Sequence, residues 1–471
     1  MSDQTEDKLE ASAAAVAAEQ EAEQEAEQLD PKAAKKAAKK ESSRSLNRDR
    51  DFMAFWAGET TALIGAEVTL VALPLVAITM LDASAFQLGL LGAMLRLPAI
   101  LYLVVGVLLD TRRRRPVMIT SDLARVVVLL AIPVLAFMDG LNFAALCVAA
   151  VILGTATVFF DIAYQAYLPS LVGRDRIAHA NGRLQTSHST AQVLGPSLAG
   201  GLVTIVSAAS ALLFSAVTCL ISALFCLSIR RPEPKPVADD PDAGLWVRMR
   251  EGLRYVTGNE YLRPMILSTG FFMFFWSGIQ ALYVLYVVRV LDLSTGVLGL
   301  LLALGGIGSV VGAAFSISIL LRFGPGRTAI VCTIICNPAF LLIPLADGPK
   351  PLVIATLAVA QVLAGVTMPI AGVSMGSVRQ ALTPGNMQSR VASAFRALSL
   401  GLAPVGALLA GVLAATFDTR TALVVFGIGL LAPIYLYIAS PIRNLHSVPG
   451  WDDEDEEEEG ATTAETQEET R

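Results

Sequence analysis

Apolar residues fill long stretches of the chain between Phe52 and Ile438, and short polar segments separate these stretches. A helix needs about 20 mostly apolar residues to cross the hydrocarbon of a bilayer, because lipid offers the backbone no hydrogen bonds. About twelve stretches reach that length: 52–80, 85–109, 117–138, 142–168, 184–207, 210–229, 264–291, 297–321, 327–346, 351–373, 391–417 and 420–440. The pattern therefore predicts an all-α membrane protein with twelve transmembrane helices.

A polar segment that opens RRPEPKPVADDPDAG divides these stretches into six and six. Its prolines and charges predict a cytoplasmic linker at 232–262, between helical bundles at 48–231 and 263–440. The tails at 1–47 and 441–471 are of low complexity, and we expect them to be disordered and cytoplasmic. The basic block KAAKKAAKK in the first tail leaves two readings open, a solvated segment or one that is attracted to anionic lipid.

Composition and charge support a membrane location and give an orientation. Charged residues make up 16% of the chain, against about 25% in a typical soluble domain. Lysine and arginine cluster in alternate loops, above all in the run RRRR at 112–115 and in the linker. Cytoplasmic loops carry this excess, so we expect a multi-pass protein of the cell membrane with both termini in the cytoplasm. The chain opens without an apolar signal segment, so the first transmembrane helix is expected to direct insertion.

The two halves of the sequence repeat one another. GLLGAMLRLPAILYLVVGVLLDTRRRRP (89–116) parallels GLLLALGGIGSVVGAAFSISILLRFGPGR (299–327), and NGRLQTSHSTAQVLGPSLAGG (181–201) parallels QSRVASAFRALSLGLAPVGALLAG (388–411). Two such six-helix repeats imply a pseudo-two-fold axis along the membrane normal and a central cavity between the bundles.

The same residues resemble the major facilitator superfamily over roughly residues 50–440. In that family the loop after the second helix reads G-x-x-x-D-R-x-G-R-R or similar. Four positions here match it, Gly106, Asp110, Arg114 and Arg115, whereas Thr111 and Arg113 depart from it. The resemblance implies a cytoplasmic gate in which Asp110 pairs across the bundles, with Arg390 as the candidate partner. Simple capping of the loop by Asp110 is the alternative.

Further segments resemble one branch of that superfamily, the bacterial exporters of macrolides, enterobactin and other secondary metabolites. These segments are FFDIAYQAYLPSLV (159–172), SDLAR (121–125) and the helix that carries the Gly-Pro pair. In the superfamily the Gly-Pro pattern is associated with antiporters. Small residues also let helix backbones approach closely, so the candidates for helix packing or bending are Gly195, Pro196, Gly200 and Gly201.

Ionisable residues inside predicted membrane helices are costly, and they usually face a cavity or one another. The first half carries four such candidates for proton coupling, Glu59, Glu67, Arg96 and Asp161. We expect Arg96 to pair with a carboxylate, and Glu67 is the acid nearest its predicted depth. Asp122 and Arg125, at i and i+3, are expected to satisfy each other locally. Structural packing remains the alternative for each acid.

The seventh apolar stretch reads FFMFFWSGIQALYVLYV at 271–287. Its aromatic residues face either lipid and neighbouring helices or a weakly polar substrate cavity. On the second reading, the candidates for the cavity lining are Trp276, Gln280 and Tyr283. Such a cavity suits amphipathic polycyclic compounds better than sugars, which need dense hydrogen bonding.

The chain carries no GxxxxGK[ST] loop, no metal-ligand cluster and no covalent triad. Its five cysteines lie inside predicted helices, so we expect no disulfide, no metal and no cofactor. We therefore predict not an enzyme but a secondary transporter that exports a hydrophobic or amphipathic small molecule in exchange for protons. An importer of a nutrient or siderophore, a non-transporting membrane sensor and a membrane enzyme are the alternatives. The expected partners are the substrate, protons and the lipid bilayer, without nucleic acid, and we expect a monomer.

Overall fold

The computed structural model describes residues 49–102, 105, 109, 112–173, 176–231, 245–384 and 387–445. The predicted tail at 1–47, most of that at 441–471, and the gate residues Gly106 and Asp110 lie outside these ranges. The described part of the chain is built of α-helices joined by short loops.

The first six helices are α1 Arg50–Met80, α2 Ala85–Arg96 with a 3₁₀ continuation Leu97–Leu101, α3 Arg114–Phe137, α4 Phe143–Val172, α5 Ile177–Ile205 and α6 Ala208–Ser228. A short helix follows in the linker, α7 Leu245–Gly258. The last six are α8 Leu262–Leu285 with a π-helical end Tyr286–Val290, α9 Thr295–Phe323, α10 Pro325–Ala339 with a further turn Leu342–Leu345, α11 Lys350–Ala381, α12 Gln388–Thr416, and α13 Thr419–Gly429 continued by Ala432–Ile438.

Ten helices in the described residues are long and apolar enough to cross a membrane. The other two predicted spans correspond to α2 and α5. The described part of α2 is short, with an apolar stretch Ala85–Leu101. Helix α5 begins at Ile177, seven residues before the predicted start, and its first turns hold the polar sequence NGRLQTSH. Part of this polar sequence borders a cavity instead of lipid, because Asn181, Leu184 and His188 line it.

The helix packing has the predicted two-fold repeat. In the first half α1 packs on α5 and α6, α3 packs on α4 and α6, and α2 packs on α4. In the second half α8 packs on α12 and α13, α10 packs on α11 and α13, and α9 packs on α11. Adding seven to each helix number converts the first set into the second. The two halves meet at the pairs α2–α12 and α5–α9, which are also counterparts of each other.

The loops after α1 and α8 repeat one another in atomic detail. Asp82 and Asp292 both adopt the left-handed backbone region, with φ of 53° and 50°. Two residues later, Ser84 and Ser294 each begin the next helix and accept a hydrogen bond from a backbone N–H of its first turn. The loops lie on one side of the bundle, which we call the far face. We call the opposite side, where α1 begins and α13 ends, the termini face.

The two halves touch backbone to backbone near the far face. A methyl group added at Gly89 would lie 2.6 Å from the Cα of Gly411, and one added at Gly200 would lie 2.8 Å from the Cα of Gly299. Only glycine permits two membrane helices to cross this closely. The pairs Gly89–Gly411 and Gly200–Gly299, which we call the glycine crossings, fix how the halves meet at this depth.

Candidate functional site

Two cavities lie in the central part of the molecule, one mainly in each half. The first-half lobe has a volume of about 660 Å³ and is bordered by α1, α2, α4 and α5. The second-half lobe has a volume of about 720 Å³ and is bordered by α8, α10, α11 and α12. Tyr102 lines both lobes, so they adjoin at this side chain. Each is large enough for a drug-sized molecule, since ligand pockets measure about 300–1,000 Å³.

The first-half lobe is rich in ionisable groups. It brings together all four residues that the sequence analysis selected as candidates for proton coupling: Glu59, Glu67, Arg96 and Asp161. Glu59 and Glu67 lie on α1, two turns apart, and Asp161 faces them from α4. Four groups from three helices thus share one cavity inside the membrane body.

Glu59 is the most enclosed of these acids. Its residue surface is 8% exposed, and its Oε2 atom has no hydrogen-bond partner among the described residues. The neighbouring Thr60 anchors this part of α1 to α5, because its Oγ1 donates to Ser187 Oγ at 2.7 Å. A buried carboxylate oxygen without a partner is expensive, and such groups mark functional positions in membrane helices.

Asp161 is held by a residue from another helix. The hydroxyl of Tyr102, just beyond the 3₁₀ turn that continues α2, donates a hydrogen bond to Asp161 Oδ2. A side chain that borders both lobes is therefore hydrogen-bonded directly to one of the acids of the first-half lobe.

The expected pairing of Arg96 with a carboxylate is wrong for this conformation. Among the described residues, its guanidinium has no carboxylate oxygen within 4.0 Å. Instead of an acid, Arg96 has the first-half lobe beside it, since it is one of the residues that line this cavity. The predicted local pair of Asp122 and Arg125 is confirmed, with 3.1 Å between Oδ1 and Nη1.

The four small-residue candidates on α5 have different surroundings. Gly195 packs directly on Glu67, and a methyl group added there would overlap the Cβ of Glu67. Gly200 forms one of the glycine crossings, and the carbonyl oxygen of Pro196 would lie 2.9 Å from a methyl group on Gly299. Gly201 has open space around its Cα. Helix α5 thus contacts both Glu67 and the opposite half through small residues.

The second-half lobe is mainly apolar, and flexible sulfur-containing side chains form much of its wall. Four methionines and two phenylalanines line it, Met265, Met273, Met368, Met375, Phe272 and Phe395. Methionine is unbranched and polarisable, so surfaces rich in it adapt to different ligand shapes. Two arginines, Arg379 and Arg396, border the same lobe.

The three substrate-cavity candidates on α8 lie deeper toward the far face than these walls. Tyr283 is 2% exposed within the core, and its hydroxyl accepts a hydrogen bond from Gln361 Nε2 at 3.1 Å. Trp276 stacks on Phe272, with 6.3 Å between ring centroids. The α8 residues that line the lobe begin at Met265 and end at Met273, before Trp276 and Gln280. A cavity role for Trp276, Gln280 and Tyr283 stays a prediction.

Sequence reasoning did not select Arg396, which contacts the opposite half. This residue lies on α12, with its guanidinium 4.8 Å from the ring centroid of Tyr102, and its Nη1 donates to Gln165 Oε1 on α4 at 3.4 Å. Gln165 is one helical turn beyond Asp161, the acid that Tyr102 holds. Arg396 could have been selected from the sequence, because it lies inside a predicted apolar stretch, as Arg96 does, and an arginine is unusual there.

Three of the residues predicted to form a gate, all of them arginines, lie in the described part of the chain. Arg115 donates to the carbonyl oxygens of Cys226 and Leu227, at 2.9 and 2.8 Å, near the end of α6, and Arg114 is the first residue of α3. Arg390 forms an ion pair with Glu251 of the linker helix α7. A methyl group on Gly252 would lie 2.7 Å from the carbonyl carbon of Arg390, so α7 packs tightly on α12 here. The expected Asp110–Arg390 pair falls outside the described residues and stays a prediction.

The far face carries a polar contact between the halves. Arg289, in the π-helical end of α8, donates to the carbonyl oxygens of Ile78 at 2.8 Å and Ala83 at 3.1 Å, and it pairs with Asp82. These acceptors surround the end of α1. Together with the glycine crossings, this contact joins the halves at the far face.

Two packed helical repeats around a central cavity define a membrane transporter of the two-bundle class. A sequence profile of the Major Facilitator Superfamily matches residues 55–403. The chain belongs to the major facilitator superfamily, as the sequence resemblance implied.

Two proteins that are similar in sequence are bacterial efflux proteins. The chain is 26% identical to the multidrug efflux pump Tap of Mycolicibacterium fortuitum over 370 residues, which cover 75% of this chain and 87% of that protein. It is 24% identical to the macrolide efflux protein A of Streptococcus pyogenes over 233 residues, which cover 49% of this chain and 57% of that protein. These matches agree with the exporter branch that the sequence resembles.

Solved structures share the fold at lower identity. The nucleoside transporter NupG aligns with a TM-score of 0.66 at 13% identity, covering 83% of this chain and 98% of that one. A bacterial homologue of the human lysosomal transporter Spinster, in an inward-facing and unoccupied conformation, aligns with a TM-score of 0.63 at 13% identity, covering 83% and 96%. The predicted fold class, an all-α membrane protein with the major facilitator fold, is confirmed.

Proposed function

We propose that this protein is a proton-coupled exporter of a hydrophobic or amphipathic small molecule, and that it works by alternating access. One observation carries the proposal: a cavity lobe lined by three acids of the membrane helices adjoins a lobe lined by methionines and phenylalanines, in the space between two repeats. The acids supply proton sites and the apolar lobe supplies room for the substrate. Efflux proteins among the relatives support export as the direction.

The arrangement of contacts supports one state of an alternating cycle. The glycine crossings and the Arg289 contact join the halves at the far face, whereas the lobes lie nearer the termini face. If the termini are cytoplasmic, as the charge bias predicts, this state opens to the cytoplasm. Export then requires the far-face contacts to separate while the termini face closes.

The first-half acids are the proposed proton carriers. A carrier must bind a proton from one side and release it to the other, so it must border a cavity that changes its access. Glu67 is our first choice and Asp161 the second, because both border the lobe and contact another helix or side chain there: Glu67 touches α5 at Gly195, and Asp161 accepts a hydrogen bond from Tyr102. Arg96 is proposed to keep these acids ionised between proton transfers.

The energy source is tested with purified full-length protein in proteoliposomes. Efflux of a transported dye should collapse when a protonophore dissipates the gradient, and each substrate molecule should move protons in the opposite direction. Uphill transport that continues with ATP but without a proton or sodium gradient would rule the mechanism out. The direction is tested in cells, since a strain without the gene should retain more of an exported compound and less of an imported one.

The carriers are tested by neutralising each acid separately. Glu67→Gln and Asp161→Asn should each weaken proton-driven efflux, while downhill exchange of substrate across the membrane continues. Glu260→Gln is the matched control, because Glu260 is exposed in the turn between α7 and α8 and lines neither lobe. Wild-type proton stoichiometry in Glu59→Gln, Glu67→Gln and Asp161→Asn alike would show that the acids are structural.

A further inference from the structure

Two arginines border the apolar second-half lobe, and aromatic rings hold both of them. The guanidinium of Arg379 lies 5.0 Å from the ring centroid of Phe395, and that of Arg396 lies 4.8 Å from that of Tyr102. A guanidinium over a ring is oriented by the ring, while its N–H groups point outward in its own plane. Both guanidinium groups therefore lie at the wall of the cavity, each beside an aromatic ring.

Neither arginine has an acidic partner among the described residues. Ion pairs do form at Arg125, Arg289 and Arg390, which lie elsewhere in the bundle. Arg379 and Arg396 have no carboxylate oxygen within 4.0 Å in the described part of the chain. Arg379 is half-buried and Arg396 is exposed, so both cations border the lobe and can attract an anion that arrives with a ligand.

The shape of the lobe indicates what accompanies that anion. The lobe measures about 720 Å³, and four methionines and two phenylalanines line it together with small and polar side chains. A carboxylate matches the planar fork of a guanidinium, with two parallel N–H···O bonds. The methionines suit a bulky apolar body of variable outline.

We propose that the second-half lobe binds the acidic group of an amphipathic organic acid, with its carboxylate at Arg379 and Arg396. This inference rests on the proposed function, and it names the substrate class. The acids of the first-half lobe repel the same carboxylate, which therefore binds on the second-half side of Tyr102. The apolar body occupies the methionine-lined space.

Equilibrium binding to the purified full-length protein in nanodiscs tests this proposal without any gradient. The probes are fluorescent acids with an alkyl, a naphthyl or a steroid body, each compared with its own primary amide. We expect wild-type protein to bind at least one acid about tenfold or more tightly than its amide. Arg379→Gln and Arg396→Gln should each weaken binding of that acid by about tenfold or more and change binding of the amide by less than about twofold.

The control is Arg322→Gln, which removes a guanidinium from a similar ring contact outside both lobes. Arg322 lies 5.4 Å from the ring centroid of Phe323 at the end of α9. Its loss should leave acid binding unchanged. Arg396→Lys keeps the charge without the planar fork, so it should bind the acid more tightly than Arg396→Gln and less tightly than the wild type. The lysine variant also tests the proposal if Arg396→Gln fails to fold.

The proposal is overturned if acids and amides bind equally, if no acid binds, or if Arg322→Gln weakens acid binding as much as the lobe variants do. These outcomes are separable from failure of the proposed function. Selective acid binding with transport that ignores the proton gradient would retain the site and reject the coupling. Proton-driven transport without any preference for acids would reject the site and retain the coupling.

Discussion

Replacing Gly200 by alanine should open the far face. The added methyl group would lie 2.8 Å from the Cα of Gly299 and 2.9 Å from the carbonyl oxygen of Thr295. Carbon atoms in contact prefer about 3.5–4.0 Å, so α5 and α9 must move apart by roughly 0.7 Å or more. Both neighbours are backbone atoms, and a rotamer change cannot relieve the overlap.

The magnitude follows from the cost of overpacking, which is about 1–3 kcal/mol for an added group in a packed interior. That cost applies only while α5 and α9 are in contact, because the methyl group is free once the far face separates. The equilibrium between the two conformations should therefore shift toward the open far face by about 5- to 150-fold.

Spin labels on the far face can measure this shift. Met138, 71% exposed after α3, and Leu345, 64% exposed at the end of α10, lie in opposite halves. The labels are attached in a chain whose native cysteines are replaced and whose transport is retained. Gly200→Ala should add or increase a population with a longer distance between the labels.

The adjacent glycine provides a matched control. A methyl group on Gly201 has no neighbour within 4 Å, so Gly201→Ala makes the same chemical change in the same helix without the overlap. Its distance distribution should remain that of the wild type. Equal distributions in Gly200→Ala and Gly201→Ala would refute the idea that the glycine crossing holds the far face closed.

Three further predictions concern the contacts around the cavity. Arg289→Gln removes the polar contact between the halves at the far face and should lengthen the same spin-label distance; an unchanged distance would exclude Arg289 from the closure. Gly195→Ala places a methyl group against the Cβ of Glu67, so it should reduce substrate-induced proton movement while substrate binding is retained. Normal proton movement in this variant would show that the contact does not position the acid. Charge reversal at both Asp110 and Arg390 should recover part of the transport that either reversal loses, and additive losses would reject their pairing.

The sequence predicts the fold well because each membrane helix is specified by its own apolar length. The repeated segments also identify which helices correspond, and the packing follows that correspondence from α1–α6 to α8–α13. Gly200 could be selected from its place in a small-residue cluster. The cluster alone did not separate Gly200, which contacts Gly299, from Gly201, which faces open space. That difference depends on which side of α5 faces the opposite half in the assembled bundle.

The site was harder to predict because its contacts join distant parts of the chain. The sequence selected Glu59, Glu67 and Asp161 as unusual charges, and these do share a cavity. It could not reveal that the arginine at 396 meets Tyr102, since that contact depends on how the two halves are oriented. The sequence also led us to expect a carboxylate beside Arg96, whereas in the structure this residue borders the first-half lobe without one within 4.0 Å among the described residues.

The glycine crossings have a consequence for the proton permeability of the membrane. Protons travel along chains of water molecules, and two helices in backbone contact leave no width for such a chain at that depth. A carrier driven by the proton gradient must not let protons cross the membrane without substrate, because that flow would dissipate the gradient. A substitution such as Gly89→Ala, whose methyl group would lie 2.6 Å from the Cα of Gly411, should therefore make vesicles permeable to protons even without substrate.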